Sequence, residues 1–404
     1  MTGESLTSLE IASGIVLPVV RRGSRPPDPS GAGKYRRRAP LGNSTAPRDA
    51  LEREILPCLL RAPCLVSFSG GRDSAAVLAT ATMLARREGL PDPIPATNVF
   101  PSVQDADESE WQELLVRRLG LSDWLRVEHE QELDLIGPYA QRVLTDHGLL
   151  WPANAHFHVP LLEEARGGSM LTGLGGDELY LAARRLHSAA VLSRAVRARP
   201  RDALSLGFAF APRSLRKVVI FRRSKIPASW LREAARKRVT KLLAAEEAAE
   251  PRGLAERLLW WRGVRYLQVA VRSLDLIAGD TSTRVVHPLL SPPFWTAVGT
   301  VAPTAGFASR TDGVRSLFGD LLPPAIIDRT SKANFGAIFW TDHAREFARG
   351  WDGSGVPEEW VDARELGRHW SSDRPCLPSS TLLQAAWLAS AGHGSEQTLE
   401  RVLD

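Results

Sequence analysis

Residues 64–74 read CLVSFSGGRDS, and this stretch decides the fold class. Its apolar start predicts a buried strand, its paired glycines predict a turn, and apolar residues recur at helical spacing over residues 75–87. Glycines let backbone N–H groups approach a phosphate, and a helix that begins directly after them points its positive end at the anion. A strand, a glycine-rich turn and a helix in this order are typical of a nucleotide site in an α/β protein.

A second stretch, residues 171–179, reads LTGLGGDEL and repeats the pattern. It follows a short apolar run and carries Asp177, as the first loop carries Asp73. Ligands of open α/β sheets bind at the carboxyl ends of the strands, where both loops are expected. Two such loops, each with a carboxylate, predict one ATP with its pyrophosphate and Mg²⁺ held between them.

The intervening sequence alternates strand and helix patterns, which favours a doubly wound parallel sheet. Strands are predicted at 94–100, 124–127 and 169–172, and helices at 75–87, 138–147 and 155–166 and from Trp111 to Leu119. The predicted organisation is a partly flexible, basic N-terminal arm at 1–50, an α/β core at 51–200 and a mainly helical part at 201–404. Within the arm, residues 11–20 are interpreted as a strand or a docking segment, and residues 21–49 as a basic, flexible tract.

The first loop is not a Walker A loop, because the only Gly-Lys pair, residues 33–34, is followed by Tyr35 and lacks the leading glycine. Residues 69–74 instead match the SGGxDS pyrophosphate loop of ATP pyrophosphatases. A Walker loop cradles the β and γ phosphates. The resemblance implies a loop that grips a leaving pyrophosphate while a substrate attacks the α-phosphorus and becomes an adenylate.

Together the two loops resemble the synthetase domain of the asparagine synthetase family, whose members include β-lactam synthetases and lasso-peptide macrolactam synthetases. Residues 322–336 resemble the family's late L-P-x-x-x-x-x-R-x-K-x-x-F pattern, with one extra residue between Arg329 and Lys332. Residues 285–290 resemble its v-R-x-P-F-L-D segment without the Arg and Asp. The resemblance covers roughly residues 51–345. It implies an adenine nucleotide α-hydrolase-like (PP-loop) sheet followed by a mainly helical C-terminal half.

The resemblance further implies an ATP-dependent, AMP-forming ligase that adenylates a carboxylate and joins it to an amine. The residues expected to bind ATP are Phe68, Ser69, Gly70, Gly71, Asp73, Ser74, Val99, Gly173 and Gly175, with backbone near Phe68 and Val99 holding the adenine. Asp73 and Asp177 are the expected Mg²⁺ ligands, and Lys332, Asp177 and Glu178 the expected catalytic residues. Lys332 is one of six lysines among 51 basic residues, and its ammonium is expected to stabilise charge in the amide-forming step.

This chain departs from the family pattern at two places, position 174 and the N-terminus, and the family's residue roles do not transfer there. Leu174 stands where asparagine synthetases have Glu and β-lactam synthetases have Tyr, and leucine cannot ionise. A general base must come from elsewhere, and the candidates are Glu178, Asp107, Glu108, His156 and His158. About sixty residues precede the first loop and residue 2 is Thr, so no N-terminal glutaminase domain is expected. Ammonia from a separate chain stays open, and a ready-made amine is the simpler nucleophile.

Composition and charge set the remaining expectations. Three cysteines without metal-ligand spacing suit a reducing cytoplasm, and no apolar run approaches the length of a membrane span. The net charge of +5 is modest, which makes nucleic acid an unfavoured partner. The expected partners are a small-molecule or peptide carboxylate and an amine, with a carrier protein or precursor peptide left open. The oligomeric state is not predicted.

Three further interpretations concern the biological role, the alternative functions and one pair of histidines. The divergent pocket favours natural-product biosynthesis, such as peptide tailoring or cyclisation. The alternatives are a PP-loop enzyme that acts on tRNA and a non-catalytic ATP-binding scaffold. The pair His156 and His158 resembles a metal pair, but packing or a substrate pocket is favoured because no further Cys or His lies nearby in sequence.

Overall fold

One parallel sheet lies at the centre of the protein. The computed structural model describes residues 5–18, 46–180, 207–208, 211–251, 253–302 and 306–392. Within these ranges the strands are β1 Cys64–Ser67, β2 Ile94–Val99, β3 Leu125–Glu128, β4 Ser169–Leu171 and β5 Arg284–Val286. Their order is β3-β2-β1-β4-β5, and every neighbouring pair is parallel. The predicted α/β class is therefore confirmed.

The strand order reverses between β1 and β4. In the register of the sheet, Val66 of β1 lies opposite Pro95 of β2 on one side and Leu171 of β4 on the other. The chain first winds outward through β2 and β3, and then returns to the other side of β1. The carboxyl ends of β1 and β4 form the switch point at which such sheets bind ligands, and both glycine-rich loops begin there.

Helices surround the sheet and form most of the C-terminal half. In the described ranges they are α1 Ser8–Ser13, α2 Pro47–Leu59, α3 Arg72–Arg87, α4 Ser109–Leu119, α5 Pro138–His147, α6 Val159–Glu164, α7 Gly176–Tyr180, α8 Arg213–Arg223, α9 Glu233–Ala249, α10 Leu254–Trp261, α11 Arg265–Gly279, α12 Pro292–Val301, α13 Arg310–Phe318, α14 Pro324–Asp328, α15 Gly336–Phe339, α16 Asp342–Gly350, α17 Ala363–Trp370 and α18 Ser380–Ser390. None of them is both long and apolar enough to cross a membrane.

Alternate residues of each strand supply the two faces of the sheet. Val66 packs in one buried cluster with residues of α2 and α3, including Leu51 and Leu78. Its neighbour Leu65 packs in another cluster with Leu162 and residues of α11. Each fully buried aliphatic side chain of this kind contributes about 1.5–3 kcal/mol relative to an exposed one. Burial on both faces explains why β1, at the centre of the sheet, reads as a continuous apolar run.

The N-terminal segment docks on the C-terminal helices. Ile11 belongs to the same buried cluster as Trp370 and Leu383, and the indole N–H of Trp230 donates to the carbonyl of Ala12 at 2.8 Å. Residues 8–13 form a helix that starts at a capping box between Thr7 and Glu10. Over the described residues 11–18 the strand alternative is therefore wrong, because this helical start overrides the apolar run, and the docking alternative holds.

Other differences from the predicted elements are local. Residues 155–166 form a 3-10 turn at Ala155–His158 and then α6, because Pro160 favours the first turn of a new helix. The edge strand β5, at residues 284–286, lies outside residues 51–200, which the sequence predicts as the α/β core. The three-part domain division itself stays a prediction. Residues 21–45 of the predicted basic tract lie outside the described residues. The helix α2 begins at Pro47, within the last residues of that tract.

Candidate active site

The first loop closes tightly between β1 and α3. Gly70 has φ +80°, a conformation that favours glycine, and a Cβ there would lie 3.0 Å from Gln112 Cγ. The hydroxyl of Ser74 donates to the Gly71 carbonyl at 3.1 Å, and the Gly71 N–H donates to Ser69 Oγ at 3.3 Å. Because α3 begins at Arg72, its unpaired first N–H groups face the loop. The loop and the helix end together form a cradle for an anion.

The second loop rests directly on the first. A Cβ on Gly176 would lie 2.1 Å from Asp73 Cγ, and a Cβ on Gly173 would lie 2.7 Å from the backbone nitrogen of Ser74. Gly175 has φ +104°. Side chains at positions 173 and 176 would push the loops apart, and one at position 175 would meet Leu290. The glycines of the second loop therefore serve the close approach that brings Asp177 to Asp73.

Arg310 joins the two aspartates. One terminal nitrogen of its guanidinium donates to Asp177 Oδ1 and the other to Asp73 Oδ2. Arg310 is the first residue of α13, which Ser309 caps, and its guanidinium lies 5.7 Å from the centre of the Tyr180 ring. Sequence reasoning missed this residue, since nothing in an arginine-rich chain marks it.

The paired carboxylates suit a hard divalent cation. Burial raises the pKa of Asp73 to about 6, opposed by the neighbouring Arg310 cation and reinforced by the negative charge of Asp177. Among the described residues Asp73 Oδ1 is buried without a hydrogen-bond partner. In the same ranges no three Cys, His, Asp or Glu side chains gather as a metal site. Two carboxylates completed by phosphate and water are a common Mg²⁺ arrangement, so the donor set fits.

Glu178 is held by a tyrosine that sequence reasoning did not identify. The hydroxyl of Tyr266, on α11, donates to Glu178 Oε1. Burial raises the pKa of Glu178, and the hydrogen bond from Tyr266 opposes that shift. Trp151 and Trp261 contact the Tyr266 ring edge-on at centroid distances of 5.8 and 5.6 Å. The Glu178 carboxylate therefore already has a hydrogen-bond donor, the Tyr266 hydroxyl.

A buried ion pair ties the late segment to the first loop. Arg329 is 4% exposed and Glu108 is 6% exposed, and a guanidinium nitrogen donates to Glu108 Oε1 at 2.7 Å. The other terminal nitrogen donates to the Gly70 carbonyl at 2.7 Å. The same Glu108 oxygen accepts the Ala333 N–H at 2.8 Å, and the guanidinium lies 4.8 Å from the centre of the Trp111 ring. Arg329 thus fixes the backbone of both segments.

Lys332 lies in the chain between two segments that are held in place by packing and hydrogen bonds. On one side lie Arg329 and Ala333, and on the other the Phe335 ring contacts Phe100 and Phe157 at 6.3 and 6.1 Å between centroids. Lys332 itself is exposed and forms no ion pair with the described residues. Its ammonium is therefore available to a substrate.

Phe68 and Val99 lie at the carboxyl ends of adjacent strands. The Phe68 N–H donates to the Ala96 carbonyl at 2.8 Å, and the Phe68 carbonyl accepts the Thr97 hydroxyl at 2.8 Å. The Val99 carbonyl accepts the His129 N–H at 2.9 Å. The position suits a nucleotide base, and the adenine role of this backbone stays a prediction.

The structure separates the candidate general bases. Asp107 is exposed and accepts the Ser109 N–H at the start of α4, while Glu108 is paired with Arg329. His156 is buried, and its Nε2 lies 3.0 Å from the Leu133 carbonyl. With Glu178 bonded to Tyr266, only His158 keeps a ring nitrogen, Nδ1, without a partner in the described part of the chain.

Comparison with known proteins agrees with this architecture. A family model described as asparagine synthase matches residues 48–388, from the start of α2 into α18. The chain therefore belongs to the asparagine synthase family, whose enzymes are ATP-dependent ligases that form amide bonds. Curated proteins give no significant match. The resemblance predicted from the two loops and the late segment is confirmed.

Proposed function

We propose that this protein adenylates a carboxylate with ATP, releases pyrophosphate, and joins the acyl group to an amine with release of AMP. The observation that carries the proposal is the contact between the two glycine-rich loops, which places Asp73 and Asp177 on one guanidinium beside the SGGxDS turn. Membership of a family of ATP-dependent amide-forming ligases supports it.

In the first half-reaction the backbone N–H groups of residues 69–74 bind the phosphates of ATP. The substrate carboxylate forms a bond to the α-phosphorus, and pyrophosphate leaves. Asp73 and Asp177 would hold Mg²⁺, which neutralises charge on the phosphates when bound. Arg329 fixes the Gly70 carbonyl within the loop by donating a hydrogen bond to its oxygen at 2.7 Å.

In the second half-reaction the amine attacks the acyl carbon. The exposed Lys332 ammonium stabilises the developing oxyanion. Leucine at position 174 and the departures in residues 285–290 differ from what the asparagine-forming enzymes have at these motif positions. This difference supports a role in natural-product or peptide tailoring, with a small-molecule or peptide carboxylate as substrate.

Conservative changes at the two aspartates test the metal assignment. Asp73→Asn and Asp177→Asn are each expected to abolish exchange of labelled pyrophosphate into ATP, because an amide is a far weaker ligand for Mg²⁺. The assay supplies a panel of amino acids, hydroxy acids and short peptides as carboxylates. Asp92→Asn, in an exposed ion pair with Arg86, serves as the matched control and should exchange normally. Wild-type exchange in either loop variant would remove that residue from the metal site.

Arg310 gives a second prediction, which needs no substrate. Because its guanidinium occupies both carboxylates, Arg310→Gln is expected to tighten Mn²⁺ binding in the absence of ATP. The expected gain is on the order of tenfold, equivalent to about 1.4 kcal/mol, measured by the electron paramagnetic resonance signal of free Mn²⁺. Arg315→Gln is the control, since Arg315 lies on the same helix and pairs with Asp328. Equal or weaker Mn²⁺ binding by Arg310→Gln would contradict the assignment.

A further inference from the structure

Two histidine rings beside the second loop each have a buried nitrogen with no partner among the described residues. These atoms are His158 Nδ1 and His287 Nε2. A buried polar atom without a hydrogen bond typically costs about 1–3 kcal/mol, so each such atom needs an explanation, of which a catalytic role is one. The two rings are close enough that charge on His158 would lower the pKa of His287. The pair is therefore a polar site that the steps above do not use.

The His287 ring is held in a defined orientation. It follows β5, and its Nδ1 lies 2.7 Å from Thr172 Oγ1 at the end of β4. The same hydroxyl oxygen accepts the Leu174 N–H at 3.3 Å. In the tautomer that carries its proton on Nδ1, that N–H donates to Thr172 Oγ1 and Nε2 keeps its lone pair. The His287 ring is thus anchored to the second loop next to Leu174, whose side chain cannot act as a base.

The other ring connects this site to the late segment. His158 follows Phe157, whose carbonyl accepts the Asn98 side-chain amide at 2.9 Å. The Phe157 ring packs against Phe335, three residues after Lys332, at 6.1 Å. His158 and the Lys332 segment therefore border the same aromatic cluster, and His287 lies near His158. Burial lowers the pKa of both His158 and His287 to about 4, so both rings are neutral near pH 7.

We propose that His287 is the general base of the amide-forming half-reaction. The inference rests on the proposed function. The amine lone pair forms the C–N bond to the acyl carbon, and the C–O bond to the phosphate breaks with its electron pair on AMP. One N–H proton of the amine moves to His287 Nε2 and then to water. A bound adenylate carries a negative phosphate, which raises the pKa of a nearby imidazole toward the range where a base is effective.

The test compares two nucleophiles on one enzyme variant. His287→Asn keeps an amide nitrogen where Nδ1 meets Thr172 and removes Nε2. Pyrophosphate exchange, with an acid that the wild type accepts, is expected to stay within a few-fold. Trapping of the adenylate by hydroxylamine, a weakly basic amine, should persist. Amide formation with ammonium and small primary amines is expected to fall by roughly 10²–10⁴-fold, the usual contribution of a general base.

The controls separate catalysis from structure. His147→Asn, in a surface contact with Asp280, should behave as wild type. Thermal unfolding is followed for each variant, and His287→Gln is the second replacement if the Asn variant is unstable. Wild-type amide formation by His287→Asn, or an equal loss of exchange and amide, would overturn the base assignment. Absence of exchange in the wild type with every acid would overturn the proposed function, and the base with it.

Discussion

Replacing Arg329 by methionine is expected to lower the free energy of unfolding by about 3–5 kcal/mol, the usual cost of leaving one member of a buried ion pair without its partner. Methionine retains much of the side-chain volume, so packing against Trp111 is largely kept. The loss comes from the Glu108 carboxylate, which stays buried with only the Ala333 N–H, and from the Gly70 carbonyl. Denaturant unfolding measures the change.

The chain offers a matched pair for comparison. Arg117 and Glu113 form an ion pair on α4, the helix that Glu108 precedes, and they are 79% and 46% exposed. Arg117→Met should cost less than about 1 kcal/mol, as exposed pairs usually do. The double variant Glu108→Gln with Arg329→Met should lose less than the sum of the two single changes. Equal losses for Arg329→Met and Arg117→Met would show that the buried pair does not hold the loop.

Lys332 is expected to matter for chemistry and hardly at all for folding. Lys332→Ala should lower amide formation by roughly 10²–10³-fold, the typical loss when one donor to a developing oxyanion is removed. Lys332→Arg should lose much of the same activity, because a planar guanidinium does not replace a compact ammonium. Hydroxylamine trapping reports adenylate formation, which should continue, and amide product is measured separately.

Two comparisons distinguish a catalytic role of Lys332 from a structural one: the free energy of unfolding, and the effect of replacing a second lysine. Lys332 is exposed, so its removal should change the free energy of unfolding by no more than about 0.5 kcal/mol. Lys237→Ala is the control, because Lys237 is exposed on α9 in an ion pair with Glu233. Equal loss of adenylate and amide in Lys332→Ala, or no loss of either, would remove Lys332 from the amide-forming step.

The sheet could be predicted from the sequence because its strands and loops are local patterns. Buried parallel strands read as apolar runs, and each glycine-rich turn follows its strand directly. The edge strand β5 could not be predicted in the same way. It is only three residues long, Arg284–Val286, and its pairing with β4 joins segments more than a hundred residues apart. The helix at residues 8–13 does carry a local signal, the capping box of Thr7 and Glu10, which the sequence predictions did not use.

In the candidate site, glycines and carboxylates were visible in sequence and their partners were not. Asp73, Asp177 and the loop glycines stand in short motifs. Arg310 and Tyr266 reach the site only through tertiary packing, and each comes from a helix with no motif of its own. The engagement of Glu108 by Arg329 likewise joins positions 221 residues apart. A single sequence cannot rank candidate bases that differ only in their folded partners.

The position at which ATP is cleaved tests the proposed mechanism most directly. The protein is incubated with ATP labelled in the α-phosphate, an acid that supports pyrophosphate exchange, and hydroxylamine or an amine. Chromatography then separates the labelled nucleotides. We expect AMP, with pyrophosphate and hydroxamate or amide formed in equal amounts, because the role proposed for the SGGxDS loop is to bind a leaving pyrophosphate. ADP and orthophosphate as the stoichiometric products would contradict the adenylation mechanism.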